Sequence, residues 1–141
     1  EWQFDLWAYV FMAEHVHLIV RPRDADYDIA EIRTAIKAPV GRKAIAYLES
    51  DAPDWLPKIT RKRGKKMERL FWQSGGGYDR NVVMPETLMK MIDYVHLNPV
   101  RRALVERPED WEWSSAAWYA GAGEGPVVPD SIPPEWLVEL P

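Results

Sequence analysis

Cysteine is absent from the 141 residues, which excludes disulfides and thiolate chemistry and fits a reducing compartment. Histidine occurs three times, too rarely to suggest a Ser-His-Asp arrangement. No long hydrophobic run is present. The apolar stretch near the start is short, is interrupted by Glu14 and two histidines, and lacks a basic leader. Neither a signal peptide nor a membrane span is therefore expected, and the chain reads as cytoplasmic. The glycine run Gly75, Gly76, Gly77 lacks the lysine and the strand-to-helix setting of a phosphate-binding loop. No internal repeat occurs. Basic residues are outnumbered, 18 against 22 acids for a net charge of -4, which taken as a sum argues against a nucleic-acid binder. A chain of this length suggests one domain with a real core.

What is present begins with Leu6 to Pro22, LWAYVFMAEHVHLIVRP. Trp7, Tyr9 and Phe11 alternate with Ala8, Val10 and Met12, and Val16, Leu18 and Val20 alternate with His15, His17 and Ile19. Both halves carry the β-branched and aromatic mix of buried strands. Ala13 and Glu14 stand where the chain would reverse. Strand side chains alternate between faces, so His15 and His17 share one face with Val16 on the other. Two imidazoles side by side on a rigid strand suit a divalent metal; the same pair also fits a hydrogen-bonded, partly exposed couple. The chain opens at Glu1, almost inside a strand, so a neighbouring strand and further upstream elements are expected beyond it.

Pro22 stops the second strand, and Asp24, Asp26 and Asp28 offer helix caps. Ile29, Ile32 and Ile36 follow helical spacing, continued by Ile45 and Leu48, while Pro39 and Gly41 predict a kinked helix or two short ones between Asp28 and Glu49. Lys37, Arg42 and Lys43 could follow a bound backbone or simply form a solvated face. Residues 50–57 read as loop, anchored by Trp55 and Leu56. Charge is unevenly spread: Lys58, Arg61, Lys62, Arg63, Lys65, Lys66 and Arg69 face a single acid, Glu68. This stretch predicts a flexible cationic loop of the kind that neutralises phosphates, although a solvated loop needs no partner.

After the short apolar segment Leu70, Phe71, Trp72, the signal Pro85, Glu86, Thr87 starts a helix with Leu88, Met91, Ile92 and Val95 as its buried stripe. Tyr94 and Asn98 lie about 40° apart on one flank of that stripe, and His96 points nearly the opposite way. His96 therefore reads as a surface or packing residue. Pro99 marks a kink or end, followed by a short helix over Val100 to Val105. Trp111, Trp113, Trp118 and Tyr119 predict a packing cluster that clamps the tail. Residues 121–141 form a Gly/Pro-rich tail with one late anchor at Trp136 and Leu137, following a domain of residues 1–120.

Two strand histidines, a helix tyrosine and an amide one turn beyond it make a chemically coherent set. A metal held by two imidazoles and a neutral amide oxygen keeps its positive charge and can polarise a phosphodiester. A neighbouring tyrosine can attack the phosphorus. With WAYVFMAEHVHLIVRP, FWQSGGGYDRNV and YVHLNPVRRALVERPEDWEWSS following in order over most of residues 7–115, the chain resembles the single-tyrosine HUH transposases, specifically their REP-associated tyrosine transposase branch. His15 and His17 match the metal ligands of that family, Tyr94 its nucleophile, and Asn98 a third, side-chain amide ligand.

The resemblance implies an α+β fold in which an antiparallel β-sheet is flanked by helices (the HUH, ferredoxin-like transposase fold), with Mg or Mn as metal. It implies single-stranded or hairpin DNA as partner, nicked and rejoined through a covalent 5'-phosphotyrosine, with no nucleotide cofactor. Such a protein works as a monomer or a homodimer. The family has a further strand and helix at its start, and a proline, often with an asparagine, before the first histidine, where this chain has Ala13 and Glu14. The basic run is also longer than the resemblance leads one to expect. Two rival readings differ in class: a catalytically inactive relative that binds structured DNA or RNA through Lys58 to Arg69 and exposed aromatics, and a metal-dependent phosphodiesterase that uses water.

Overall fold

The alternation of residues 4–22 produces β1 (Phe4–Phe11) and β2 (Val16–Pro22), an antiparallel pair in which Phe11 faces Val16, Val10 faces His17 and Tyr9 faces Leu18. The structure, a computed structural model, describes residues 3–75 and 77–138; the expectations touching Glu1, Gly76 and residues 139–141 lie outside the described residues. The described chain is α+β, with two small antiparallel sheets and several helices. It divides into two units, one drawn from residues 1–25 and 80–141 and the other formed by Asp26–Asp79.

In the first unit the reversal falls at Ala13 and Glu14 as the pattern predicts, closed by the Met12 N–H donating to the His15 carbonyl at 2.9 Å. A register shift between Leu6 and Ala8 interrupts the ladder at Trp7, as a bulge does. Trp7, Ala8, Tyr9 and Val10 are all buried. α3 (Pro85–His96) packs its stripe against them: Leu88 and Ile92 meet Trp7 and Ala8, and Val95 joins Val10 and Met12. Burying each of these aliphatic side chains contributes roughly 1.5–3 kcal/mol.

The outer edge of β1 would leave backbone groups unpaired, and distant segments occupy it. The Phe11 N–H donates to the Trp113 carbonyl at 2.8 Å, and the Ser115 N–H to the Tyr9 carbonyl at 3.0 Å. Further along, the Asp130 carboxylate accepts the Leu6 N–H at 2.7 Å while the Asp130 N–H donates to the Leu6 carbonyl at 2.8 Å. The tail is thus loop, as its glycines and prolines predict, but it is pinned at several points. Tyr9 Oη donates to the Val127 carbonyl at 2.8 Å, and Trp136 meets Trp7 at 5.7 Å between ring centroids. The tryptophans divide the labour. Trp111 packs beside Val10 and Met12, Tyr119 beside Trp7 and Leu88, and Trp113 is left half exposed.

In the second unit α1 (Ile29–Asp51) starts at the Asp28 cap, whose carboxylate accepts the Ala30 N–H at 2.7 Å. It runs through Pro39 as one helix rather than as two short ones, the second of the two alternatives read from the sequence. Proline removes only one helical donor, and Trp72 supports the adjoining turn: its Nε1–H donates to the Lys37 carbonyl at 2.8 Å, and its ring lies where a Cβ on Gly41 would make contact at 3.4 Å. After a short α2 (Leu56–Ile59), the basic run forms a β-hairpin, β3 (Thr60–Arg63) and β4 (Lys66–Arg69). The loop predicted for this stretch is thereby corrected. Gly64 adopts φ 61 at the first position of the two-residue turn, a left-handed conformation that glycine takes without steric cost.

Candidate active site

The β1–β2 turn and strand place the two histidines together. The His15 and His17 ring centroids are 4.9 Å apart, with the rings at 88°. Burial, and then the neighbouring His15, hold the His17 pKa below its usual value, so this ring is neutral and its lone pair is available. Glu14 Oε1 lies 3.4 Å from His15 Nδ1 and 3.3 Å from Arg102 Nη2. A carboxylate facing Nδ1 favours the proton there and leaves Nε2 as the donor atom. Arg102 follows α4 (Asn98–Arg101) directly, so the same carboxylate ties the end of that helix to the histidine turn.

Tyr94 lies near the end of α3 with 49% of its surface exposed. Its hydroxyl has no hydrogen-bond partner among the described residues. Its backbone is tightly held: the carbonyl accepts from Asn98 Nδ2 at 3.0 Å and from Arg101 Nη1 at 2.8 Å. The Arg101 guanidinium also lies over the Tyr94 ring, 4.3 Å from its centroid, where the ring's negative face attracts a cation. Asn98 Nδ2 donates in addition to the Val95 carbonyl at 3.0 Å. Both hydrogens of the amide are thereby engaged on the end of α3, and its Oδ1 is left as an acceptor.

The structure therefore joins His15 with His17, and Tyr94 with Asn98. No hydrogen bond links the two pairs among the described residues, and the Glu14–Arg102 contact is what connects their elements. Among the described residues no group of three or more histidines and carboxylates converges to hold a metal. The atoms left with lone pairs are the imidazole nitrogens of His15 and His17, whose rings lie 4.9 Å apart between centroids, and Asn98 Oδ1 on the end of α3.

His96 belongs to the interior. It is buried, its Nε2 lies 2.8 Å from Ser115 Oγ, and burial lowers its pKa to about 4. Tyr119, 5.2 Å from His96 between ring centroids, donates its hydroxyl to the Trp7 carbonyl at 2.7 Å, and burial raises its pKa to about 12. Sequence reasoning missed Arg101 and Ser115. The signal for Arg101 was its position seven residues, about two helical turns, beyond Tyr94; Ser115 offered none, because its partners Tyr9 and His96 lie far away in the chain.

The basic residues occupy the second unit. Arg63 lies 3.7 Å from Glu68, Arg69 pairs with Glu49, and Lys58 Nζ sits 3.7 Å from the centroid of the Trp55 ring. Arg61, Lys62, Lys65 and Lys66 are exposed on the hairpin and have no carboxylate partner among the described residues. No described helix is long and apolar enough to cross a membrane.

No protein-family model matches the chain, and no solved structure does. The chain is 29% identical over 116 residues, 79% of its length, to a Haemophilus influenzae protein provisionally named a REP-associated tyrosine transposase. It spans 58% of that relative's length.

Proposed function

We propose that this chain, a relative of the REP-associated tyrosine transposases, is a metal-dependent DNA transposase that nicks and rejoins single-stranded, hairpin-containing DNA through Tyr94. The observation that carries the reading is a half-exposed tyrosine whose hydroxyl has no hydrogen-bond partner among the described residues, held by its backbone next to an amide whose oxygen has none there either. A tyrosine with a merely structural role would be expected to engage its hydroxyl or bury its ring.

In the first step Tyr94 Oη, having lost its proton to solvent, attacks the scissile phosphorus. The P–O3' bond breaks, the leaving 3' oxygen takes up a proton, and the 5' phosphate stays on the tyrosine. In the second step a different DNA 3'-hydroxyl attacks the same phosphorus, the P–Oη bond breaks, and Tyr94 is regenerated. Phosphodiester bonds are exchanged one for one, so no nucleotide cofactor is consumed. His15, His17 and Asn98 would hold Mg or Mn, which when bound supplies Lewis-acid polarisation of the phosphodiester. Arg101 restrains the Tyr94 ring and places a positive charge beside the developing anion.

The test is a denaturing gel of the protein mixed with 5'- or 3'-labelled hairpin DNA, with Mn, with EDTA and with Tyr94→Phe. We expect a metal-dependent covalent adduct at the 5' phosphate of the break, carried by the 3'-labelled fragment, that the variant abolishes while DNA binding persists. Shifted but uncleaved DNA over a broad hairpin set would instead favour the binding-module reading, for which the unpaired cations of the β3–β4 hairpin speak. Cleavage without an adduct, retained by Tyr94→Phe, would favour the water-using phosphodiesterase.

A further inference from the structure

The Asp26–Asp79 unit contains an open groove of about 480 Å³ between one face of α1 and the segment that follows β4. This is within the roughly 300–1,000 Å³ range of small-ligand sites. Four cations, Arg33, Lys37, Arg42 and Arg69, line it with the rings of Phe71 and Trp72, and no carboxylate residue is among its lining. Arg33 pairs with Asp79 at 3.0 Å and Arg69 with Glu49. Lys37 and Arg42 have no carboxylate partner among the described residues, so their charge remains available.

One ring of the aromatic wall is held in place. Trp72 is fixed by its bond to the Lys37 carbonyl and by its fit against Gly41. Lys37 Nζ stands 5.4 Å from the Trp72 ring centroid, and Phe71 meets Trp72 edge-on at 5.2 Å with 42% of its own surface exposed. A fixed, half-buried indole and an exposed phenyl ring, beside two cations without carboxylate partners among the described residues, match a ligand that is flat and apolar at one end and anionic at the other. The cations of β3 and β4 continue along the chain into Arg69 and the groove, a positive track suited to a polyanion rather than to an isolated small molecule.

We infer that this groove takes one unpaired nucleotide of the DNA strand, its base against Phe71 and Trp72 and its phosphate on Lys37 and Arg42; the inference rests on the reading of DNA as substrate. Paired bases have their faces covered by neighbours in the stack, whereas an unpaired base can lie on an aromatic ring. The groove thus gives the protein a means of engaging single-stranded DNA flanking a hairpin.

The experiment uses the whole chain and a DNA hairpin with a single-stranded flank carrying 5-iododeoxyuridine at each unpaired position in turn. After irradiation and proteolysis, the crosslink is expected on the peptide following Arg69, which contains Phe71 and Trp72. Phe71→Ala and Arg42→Ala, each shown to retain the parent's melting temperature, should weaken binding of the flanked hairpin about tenfold and leave the blunt hairpin unaffected. Crosslinks confined to other peptides, or equal losses on both hairpins, would overturn the assignment, as would tighter binding of an RNA strand of the same sequence. The Tyr94 adduct is read in the same reactions. Adduct without this crosslink removes the groove and keeps the transposase reading; crosslink without adduct sustains the groove and removes the chemistry.

Discussion

The Ser115 hydroxyl accepts the Tyr9 N–H at 3.0 Å, faces the Tyr9 carbonyl at 3.2 Å and lies 2.8 Å from His96 Nε2. These partners make a buried polar knot between β1 and α3, and burial keeps His96 neutral with a pKa of about 4 against an ordinary 6.5. Above pH 6.5 both folded and unfolded chains carry a neutral ring. Between 6.5 and 4 the unfolded chain binds the extra proton, so stability falls as pH falls through that window, by on the order of 3 kcal/mol. Denaturant unfolding at pH 7 and pH 4.5 should show the loss, and His96→Gln should flatten most of it; His17, also lowered, contributes in the same direction. A profile as steep in the variant as in the parent would remove His96 as its source. Gly125 offers a second test, because a Cβ there would lie 2.5 Å from Tyr9 Oη and 2.6 Å from the Ser114 carbonyl oxygen. Gly125→Ala is expected to cost about 1–3 kcal/mol by overpacking, read as a lower unfolding midpoint. An unchanged midpoint would mean that the tail does not sit on Tyr9.

Among the elements, those with local periodicity were legible in the sequence: β1, β2, the start of α3 at Pro85 and its stripe of Leu88, Ile92 and Val95. α1 was legible in place, but the choice between one helix and two was not, since the indole that supports the turn beside Pro39 comes from Trp72, more than thirty residues on. The basic stretch looked like a loop because every residue in Arg61–Lys66 is charged or glycine, leaving no apolar alternation to mark a strand. Its pairing rests on the two-residue turn at Gly64 and on Thr60, whose hydroxyl donates to the Leu56 carbonyl at 2.6 Å. As a hairpin it presents Arg61, Lys62, Lys65 and Lys66 as exposed cations on paired backbone. Changing these four to glutamine should weaken DNA binding and make the slope of log K against log salt shallower by up to roughly 0.7 for each single-strand phosphate no longer neutralised. An unaltered slope would take the hairpin out of the DNA path.

For the whole molecule, the proposed metal site and the folding core are separate. The buried residues around Trp7, Ala8, Leu88 and Ile92, and around Val10, Met12 and Val95, include none of the candidate ligands. EDTA should therefore abolish the covalent adduct and leave the thermal unfolding midpoint unchanged, in contrast to a structural metal whose binding supplies folding free energy. A large drop in the midpoint on chelation would show that a metal supports the fold. The candidate chemistry, His15, His17, Tyr94 and Asn98, is drawn from the two sequence segments of one unit, while the basic hairpin and the aromatic groove belong to the other. The sequence supplied the types of residue in both units without revealing that division.

By itself the sequence determined the alternating strands, the α3 stripe, the neighbouring histidines and the Tyr94–Asn98 pair, because each is a repeat of two, or of three to four, residues along one element. The tertiary structure decided which way the remaining polar groups turned. Ser115 reaches Tyr9 across 106 residues, Val127 reaches Tyr9 across 118 and Asp130 reaches Leu6 across 124. Pairings so distant leave no local period. They arise because β1 has an open edge and buried polar groups that must find partners, and only the folded chain shows which residues meet that need.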